Sequence, residues 1–97
     1  MIYVKHNIYQ NSKVLAVCDE DLIGKKYFEK GLKLDVNETF YKGNLVAEEE
    51  AVDLMKKSRN INIVGKESIK LAIKFDIIKK ENIIKIKNIP HAVVFEL

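Results

Sequence analysis

The sequence predicts an α+β domain with α/β-like features: a mixed β-sheet with an N-terminal hairpin, a C-terminal βαβ unit and two main helices packed on it. Three observations carry this. Ile61-Asn62-Ile63-Val64-Gly65 is a short apolar strand closed by glycine, followed by a helical pattern and then by Asn82-Ile83-Ile84-Lys85-Ile86. Such a βαβ order sets up a parallel strand pair and aims a helix N-terminus at the sheet's carboxyl edge. The chain also opens on two strand patterns joined by the turn cluster Gln10-Asn11-Ser12, which predicts an antiparallel hairpin. Residues 46–58 form the clearest helix, with Glu48, Glu49 and Glu50 in its first turns and Lys56 and Lys57 in its last. That distribution suits the helix dipole at both ends.

The remaining elements follow in order. Residues 2–8 alternate, placing Ile2, Val4, His6 and Ile8 on one face and Tyr3, Lys5, Asn7 and Tyr9 on the other. Residues 13–18 are a second, more uniformly apolar strand. Residues 25–30 read equally as a helical turn or a loop, and Gly31 ends them; residues 32–36 alternate as a third strand. Asn37 to Phe40 is a short capped turn closed by Gly43. In the long helix, Ala47, Ala51, Leu54 and Met55 are the expected buried stripe. A second helix is expected over 66–75, a strand over 83–87, a turn around Asn88-Ile89-Pro90 and a last strand over 93–97.

Ninety-seven residues make one domain, residues 1–97, with 47% hydrophobic residues, enough for a globular core. No apolar run approaches the roughly 20 residues that span a bilayer, and no leader pattern precedes the first strand. The expected setting is cytoplasmic, without a membrane partner. A single cysteine, Cys18, leaves no internal disulfide, and tightly spaced zinc ligands are not found, so neither a metal nor a cofactor is expected. Charge is asymmetric. Up to Asp53 there are seven lysines against ten acids; from Leu54 onward ten cations face four acids. Arg59 is the only arginine. Such lysine enrichment also fits a thermophile's composition.

Several residues are candidates for a site. Gly65 opens the helix after its strand, where free backbone N–H groups bind phosphate or carboxylate, with Lys66 and Ser68 close by. The lone glycine is neither a Rossmann nor a P-loop signature, and it also suits a sharp turn alone. Lys66, Lys70 and Lys74 are spaced by four along one helical ridge, Lys79 and Lys80 follow in the next loop, and Lys85 and Lys87 share one face of the following strand. Together they make a basic patch for a nucleic-acid backbone, although a solvated helix face shows the same spacing. Only Phe75 and Phe95 provide aromatic surface in this half, so base stacking has little support.

Cys18-Asp19-Glu20-Asp21 puts a thiol beside three carboxylates, whose charge opposes thiolate formation; a buried structural cysteine is the expected role. The carboxylates as oxygen ligands are the rival reading to a solvated loop. His91, entering a strand after Pro90, is a titratable group near neutrality or a turn histidine held by the backbone. Tyr27, Phe28, Phe40 and Tyr41 gather aromatics in mid-chain, as core or as a contact surface.

Six pieces of the chain, in order, resemble a small archaeal family that carries the domain-of-unknown-function number 424. They are Ala16-Val17-Cys18-Asp19-Glu20, Leu22-Ile23-Gly24-Lys25, Phe40-Tyr41-Lys42-Gly43, Glu48-Glu49-Glu50-Ala51, Asn62-Ile63-Val64-Gly65 and Ile89-Pro90-His91-Ala92. Ile61 departs from the pattern, where a smaller residue is more familiar. The resemblance implies a single-domain cytoplasmic archaeal protein and brings no reaction, cofactor or catalytic residue with it. It directs attention to Cys18, Asp19, Glu20, Lys25, Asn62 and His91.

Three functions are therefore expected, in descending order. The first is a non-catalytic module binding RNA or a ribosome-associated protein, in translation. The second is a protein–protein adaptor or homodimer. The third is a small ligand-binding enzyme at the Gly65 turn, which requires Cys18, Asp19 and His91 to converge.

Overall fold

The computed structural model describes residues 1–96. Its frame is a six-stranded sheet in the order β5-β1-β2-β6-β8-β7, made of β1 (Ile2–Tyr9), β2 (Ser12–Asp19), β5 (Asn44–Val46), β6 (Ile61–Val64), β7 (Ile84–Ile86) and β8 (Ile89–Val94). A separate two-stranded hairpin joins β3 (Lys26–Glu29) to β4 (Leu32–Asp35). The helices are α1 (Glu38–Tyr41), α2 (Glu48–Lys57) and α3 (Lys66–Lys74).

The strands β2 and β6 lie at the centre of the sheet and pair in parallel, with Leu15 opposite Ile61 and Cys18 opposite Val64. A central strand is covered on both faces, which explains why Leu15 to Asp19 are all buried and apolar apart from the last. One face carries Ile2, Val4, Leu15, Val17, Ile61 and Ile63, packed against Ala51, Val52 and Met55 of α2 and Ile69 and Ala72 of α3. The other face carries Ala16, Cys18, Val64 and Ile86, covered by Leu22, Leu34, Val36 and Tyr41. The molecule has three layers: two helices, the sheet, and the β3–β4 hairpin with α1.

Three hairpins turn on residue pairs with positive φ: Gln10-Asn11 (49° and 65°), Lys30-Gly31 (51° and 81°) and Lys87-Asn88 (52° and 65°). Two left-handed residues make a type I′ turn, whose twist matches that of the strands it joins. The first is the expected N-terminal hairpin, with Tyr9 opposite Ser12. The last moves the expected turn back by two residues, so Ile89 and Pro90 already belong to β8. Strand β8 therefore ends at Val94, and Leu97, the end of the expected last strand, lies outside the described residues.

The βαβ unit is split. Both β6 and β7 run antiparallel to β8, so they share a direction, but β8 sits between them. Residues 91–94 of β8 pair with all four of β6, and Pro90 and Ala92 of the strand are buried. The three-residue β7, with Ile84 exposed, is suited only to an edge. The direct parallel partner of β6 is β2.

Other local differences have plain causes. Residues 26–29 form a strand because the Lys30-Gly31 turn pairs them with β4. Val46 belongs to β5, paired with Ile2, and so α2 starts two residues later than expected. Ala47 becomes the exposed N-cap and Val52 takes its place in the buried stripe. The Asn37 cap is as expected: its side chain accepts a hydrogen bond from the Phe40 amide.

Candidate nucleic-acid interface

The turn from β6 into α3 is closed by the protein's own carboxylate. Asp19 ends β2 in register with Ile2, and its side chain lies on the helix-covered face. Its Oδ2 accepts from the Glu67 amide at 3.0 Å, and its Oδ1 accepts from the Ser68 amide at 2.8 Å and the Ser68 hydroxyl at 2.7 Å. A negative group at the positive end of a helix is stabilising. Gly65 permits it: φ is +110°, and a Cβ there would stand 2.2 Å from Asp19 Cγ. The anion site expected at Gly65 is thus filled from within, and two of its amide donors are committed. Gly65 and Asp19 form one structural unit.

The lysines divide between different surfaces. Lys66 and Lys85 come together, and Lys80 joins them, around a groove of about 510 Å³ floored by Ile69, Ile73, Ile83 and Pro90. Lys70 is exposed one helical turn further on. Lys74 stands elsewhere, at a cleft between α2 and α3 that Glu48, Glu49 and Asp53 also line. Its ammonium lies 5.7 Å from the Phe75 ring, with that of Lys56 at 5.2 Å. Lys87 does not share a strand face with Lys85, because it sits in the β7–β8 turn and its amide donates to Glu29 Oε1 at 3.1 Å. Lys25 is exposed and uses its backbone, donating to the Leu22 carbonyl at 3.1 Å and accepting from the Val36 amide at 2.9 Å.

On the opposite face, Asn62 Oδ1 is the acceptor for Tyr41 Oη at 2.8 Å and lies 2.9 Å from His91 Nε2. One oxygen accepting from both requires the proton on His91 Nε2. Burial lowers the His91 pKa from 6.5, so the ring is neutral at pH 7. Burial above all, then the neighbouring Cys18 and Asp35, raises the Tyr41 phenol. His91 is a strand residue held by a side chain, not a turn residue held by backbone.

The Cys18–Asp19–His91 constellation does not form. Successive strand residues point to opposite faces, so Asp19 turns to α3 while Cys18 enters the hairpin-covered core. Val64 lies between Cys18 and His91 in the sheet register. The Cys18 thiol is fully buried and donates to the Asp19 carbonyl at 3.2 Å. Burial, and then the charges of Asp19 and Asp21, push it up to about 12. Glu20 is exposed in the turn after β2. Among the described residues no group of three or more His, Cys, Asp or Glu side chains is placed to hold a metal ion.

A further surface lies at the other end of β6 and was not expected. Asn60 ties the start of β6 to β2 and to the segment after β8: its carbonyl accepts from Leu15 N at 2.9 Å, its Nδ2 donates to the Lys13 carbonyl at 3.3 Å, and its Oδ1 accepts from Glu96 N at 3.1 Å. Beside it is a pocket of about 350 Å³, lined by Tyr9, Val14, Phe40, Asn62, Val93 and Phe95 among others. A larger cleft of about 570 Å³ shares Asn60 and is lined by His6, Lys13, Lys57, Arg59 and Glu96. Its cations come from the β1–β2 hairpin and the α2–β6 loop, far apart in the chain. The uniqueness of Arg59 was the one available hint.

The family model described as a protein of unknown function (DUF424) matches residues 6–97. Among curated proteins none matches at a significant level. The chain is similar to a solved structure, an uncharacterized conserved protein from Methanopyrus kandleri, at 21% identity and a TM-score of 0.77, covering 99% of this chain and 93% of that one. At that identity the likeness concerns the fold alone: the same arrangement accommodates a largely different set of side chains. Among the described residues no helix is long and apolar enough to cross a membrane. With the match running from β1 to the end of the chain, the protein belongs to the DUF424 family.

Proposed function

We propose that this protein is a non-catalytic RNA-binding module of an archaeal cytoplasm, working with ribosome-associated partners. The observation that carries the reading is the groove between α3 and the β7–β8 hairpin, where Lys66, Lys80 and Lys85 converge and none of the described residues that line the wall is acidic. Three ammonium groups around one groove suit the spaced phosphates of a nucleic-acid strand, and long lysine stems lie well on the apolar floor. The groove contains no aromatic residue, so it favours backbone contact without base readout. The Glu67 and Ser68 amides that follow Gly65 take no part, since Asp19 holds them.

Fluorescence anisotropy with labelled single-stranded and duplex RNA tests this. Three phosphate contacts give a slope that lowers affinity about 20- to 40-fold between 50 and 200 mM salt. Lys66→Glu with Lys85→Glu abolishes binding, and Lys74→Glu leaves most of it. Absence of binding at 50 mM salt, or binding indifferent to salt, overturns the reading.

A further inference from the structure

We infer that the Asn60 end of the sheet is a nucleotide-binding site, with the base held in the aromatic pocket and the phosphate in the adjoining basic cleft. It stands at the opposite end of β6 from the α3 groove and is independent of it. The pocket's volume of about 350 Å³ falls within the range of small-molecule sites. Tyr9 and Phe95 edge it while 63% and 69% exposed. Large aromatic rings left in water beside a cavity offer flat faces on which a base stacks.

The pocket also has one polar handle. Tyr41 and His91 both engage Asn62 Oδ1, which orients the amide and leaves its nitrogen as the donor for a base's ring nitrogen or carbonyl. Charge complementarity supports the other half of the ligand. Among the described residues, Lys13, Lys57 and Arg59 line the cleft with one carboxylate side chain, Glu96. Arginine suits a phosphate by its paired donors. Asn60 is the residue common to both cavities, the pocket opening on the face of Val14 and Asn62 and the cleft on that of His6 and Leu15, and three hydrogen bonds fix it between them at the end of the sheet. An apolar peptide would fill the pocket but leave these cations unmatched.

The ligand is either a free nucleotide or one unstacked nucleotide of a single strand. A 1H–15N NMR titration with AMP, adenosine, inorganic phosphate and hexa-adenylate separates these sources. AMP is expected to shift the Arg59, Asn60 and Phe95 amides, with adenosine and phosphate each binding about tenfold or more weakly. Tyr9→Ala and Arg59→Glu, both at exposed positions, each weaken AMP by about tenfold, while Lys66→Glu with Lys85→Glu leaves it unchanged. Shifts at these amides with hexa-adenylate alone support the site and assign it to a strand. Equal shifts with phosphate and AMP mean an anion site only and overturn the proposal. So does the lack of any shift there, and if hexa-adenylate then perturbs only Lys66 and Lys85, the groove reading survives by itself.

Discussion

The Asp19 carboxylate occupies the space in which a side chain at Gly65 would begin, with its Cγ 2.2 Å from that Cβ position. The two residues come from parallel neighbouring strands and together close the start of α3. A strand-end acid and a turn glycine, 46 positions apart in the chain, thus form one capping device.

Removing either half should destabilise the protein. Asp19→Ala strips the cap, worth about 0.5–2 kcal/mol, and leaves the fully buried Ser68 hydroxyl without its acceptor, about 1–3 kcal/mol more. Asp19→Asn keeps one acceptor oxygen and should cost less. Gly65→Ala adds a strained left-handed alanine, about 1–3 kcal/mol, and displaces the carboxylate as well. Urea unfolding curves measure all three, and a Gly65→Ala protein as stable as the parent would contradict the close approach.

Cys18 should be inert in the folded protein. Its thiol is buried and titrates near 12, so at pH 8 a disulfide reagent should modify it only as fast as the chain opens. Complete reaction within seconds without denaturant is the contrary result. The elevated value also means that the unfolded state loses this proton first as pH rises past 9.0, so stability declines in strongly alkaline buffer.

His91 should make stability fall on mild acidification. Its folded pKa is below 6.5, whereas the unfolded chain binds the proton near 6.5. Below that pH the unfolded state carries more protons, so its stabilising contribution is complete above 6.5 and is lost as pH drops through the folded value. His91→Gln, which can still donate to Asn62, should flatten the stability profile between pH 7 and 5.5. An unchanged profile would show that the ring titrates as if in water.

Asn62 should contribute measurably to stability, because its half-buried side chain serves both Tyr41 and His91. Asn62→Ala leaves the buried Tyr41 hydroxyl without its acceptor, at about 1–3 kcal/mol. Tyr41→Phe removes only the hydrogen bond and should cost about 1 kcal/mol. If the two substitutions are equally mild, the hydroxyl has found water. Thermal unfolding followed by circular dichroism reads the difference.

Local chemistry was well marked in the residues themselves. The alternation from Ile2 to Ile8, the glutamates and lysines at the two ends of α2, the Asn37 cap and the strand–glycine–helix passage at Gly65 all act over a few neighbours, and each element formed where its pattern lay. The β3 strand is not marked locally, because Tyr27-Phe28 alone does not choose between helix and strand; the Lys30-Gly31 turn does. The lysines at positions 66, 70 and 74 do lie along an exposed helix edge, yet Lys74 belongs with acids of α2 that no spacing within α3 could indicate.

What the amino-acid order determined by itself was the class of fold, the elements and their apolar faces, because periodicity and caps depend on contacts a few residues apart. Tertiary structure alone decided that β8 enters between β6 and β7, that Asp19 fills the helix end offered by Gly65, and that Lys74 and Lys87 stand apart from the groove shared by Lys66, Lys80 and Lys85. It also decided that Tyr9, Asn60 and Phe95 meet beside Arg59. Each of these depends on which strand wins a place beside β6, a competition settled by total burial and hydrogen bonding across the whole sheet rather than by any one segment.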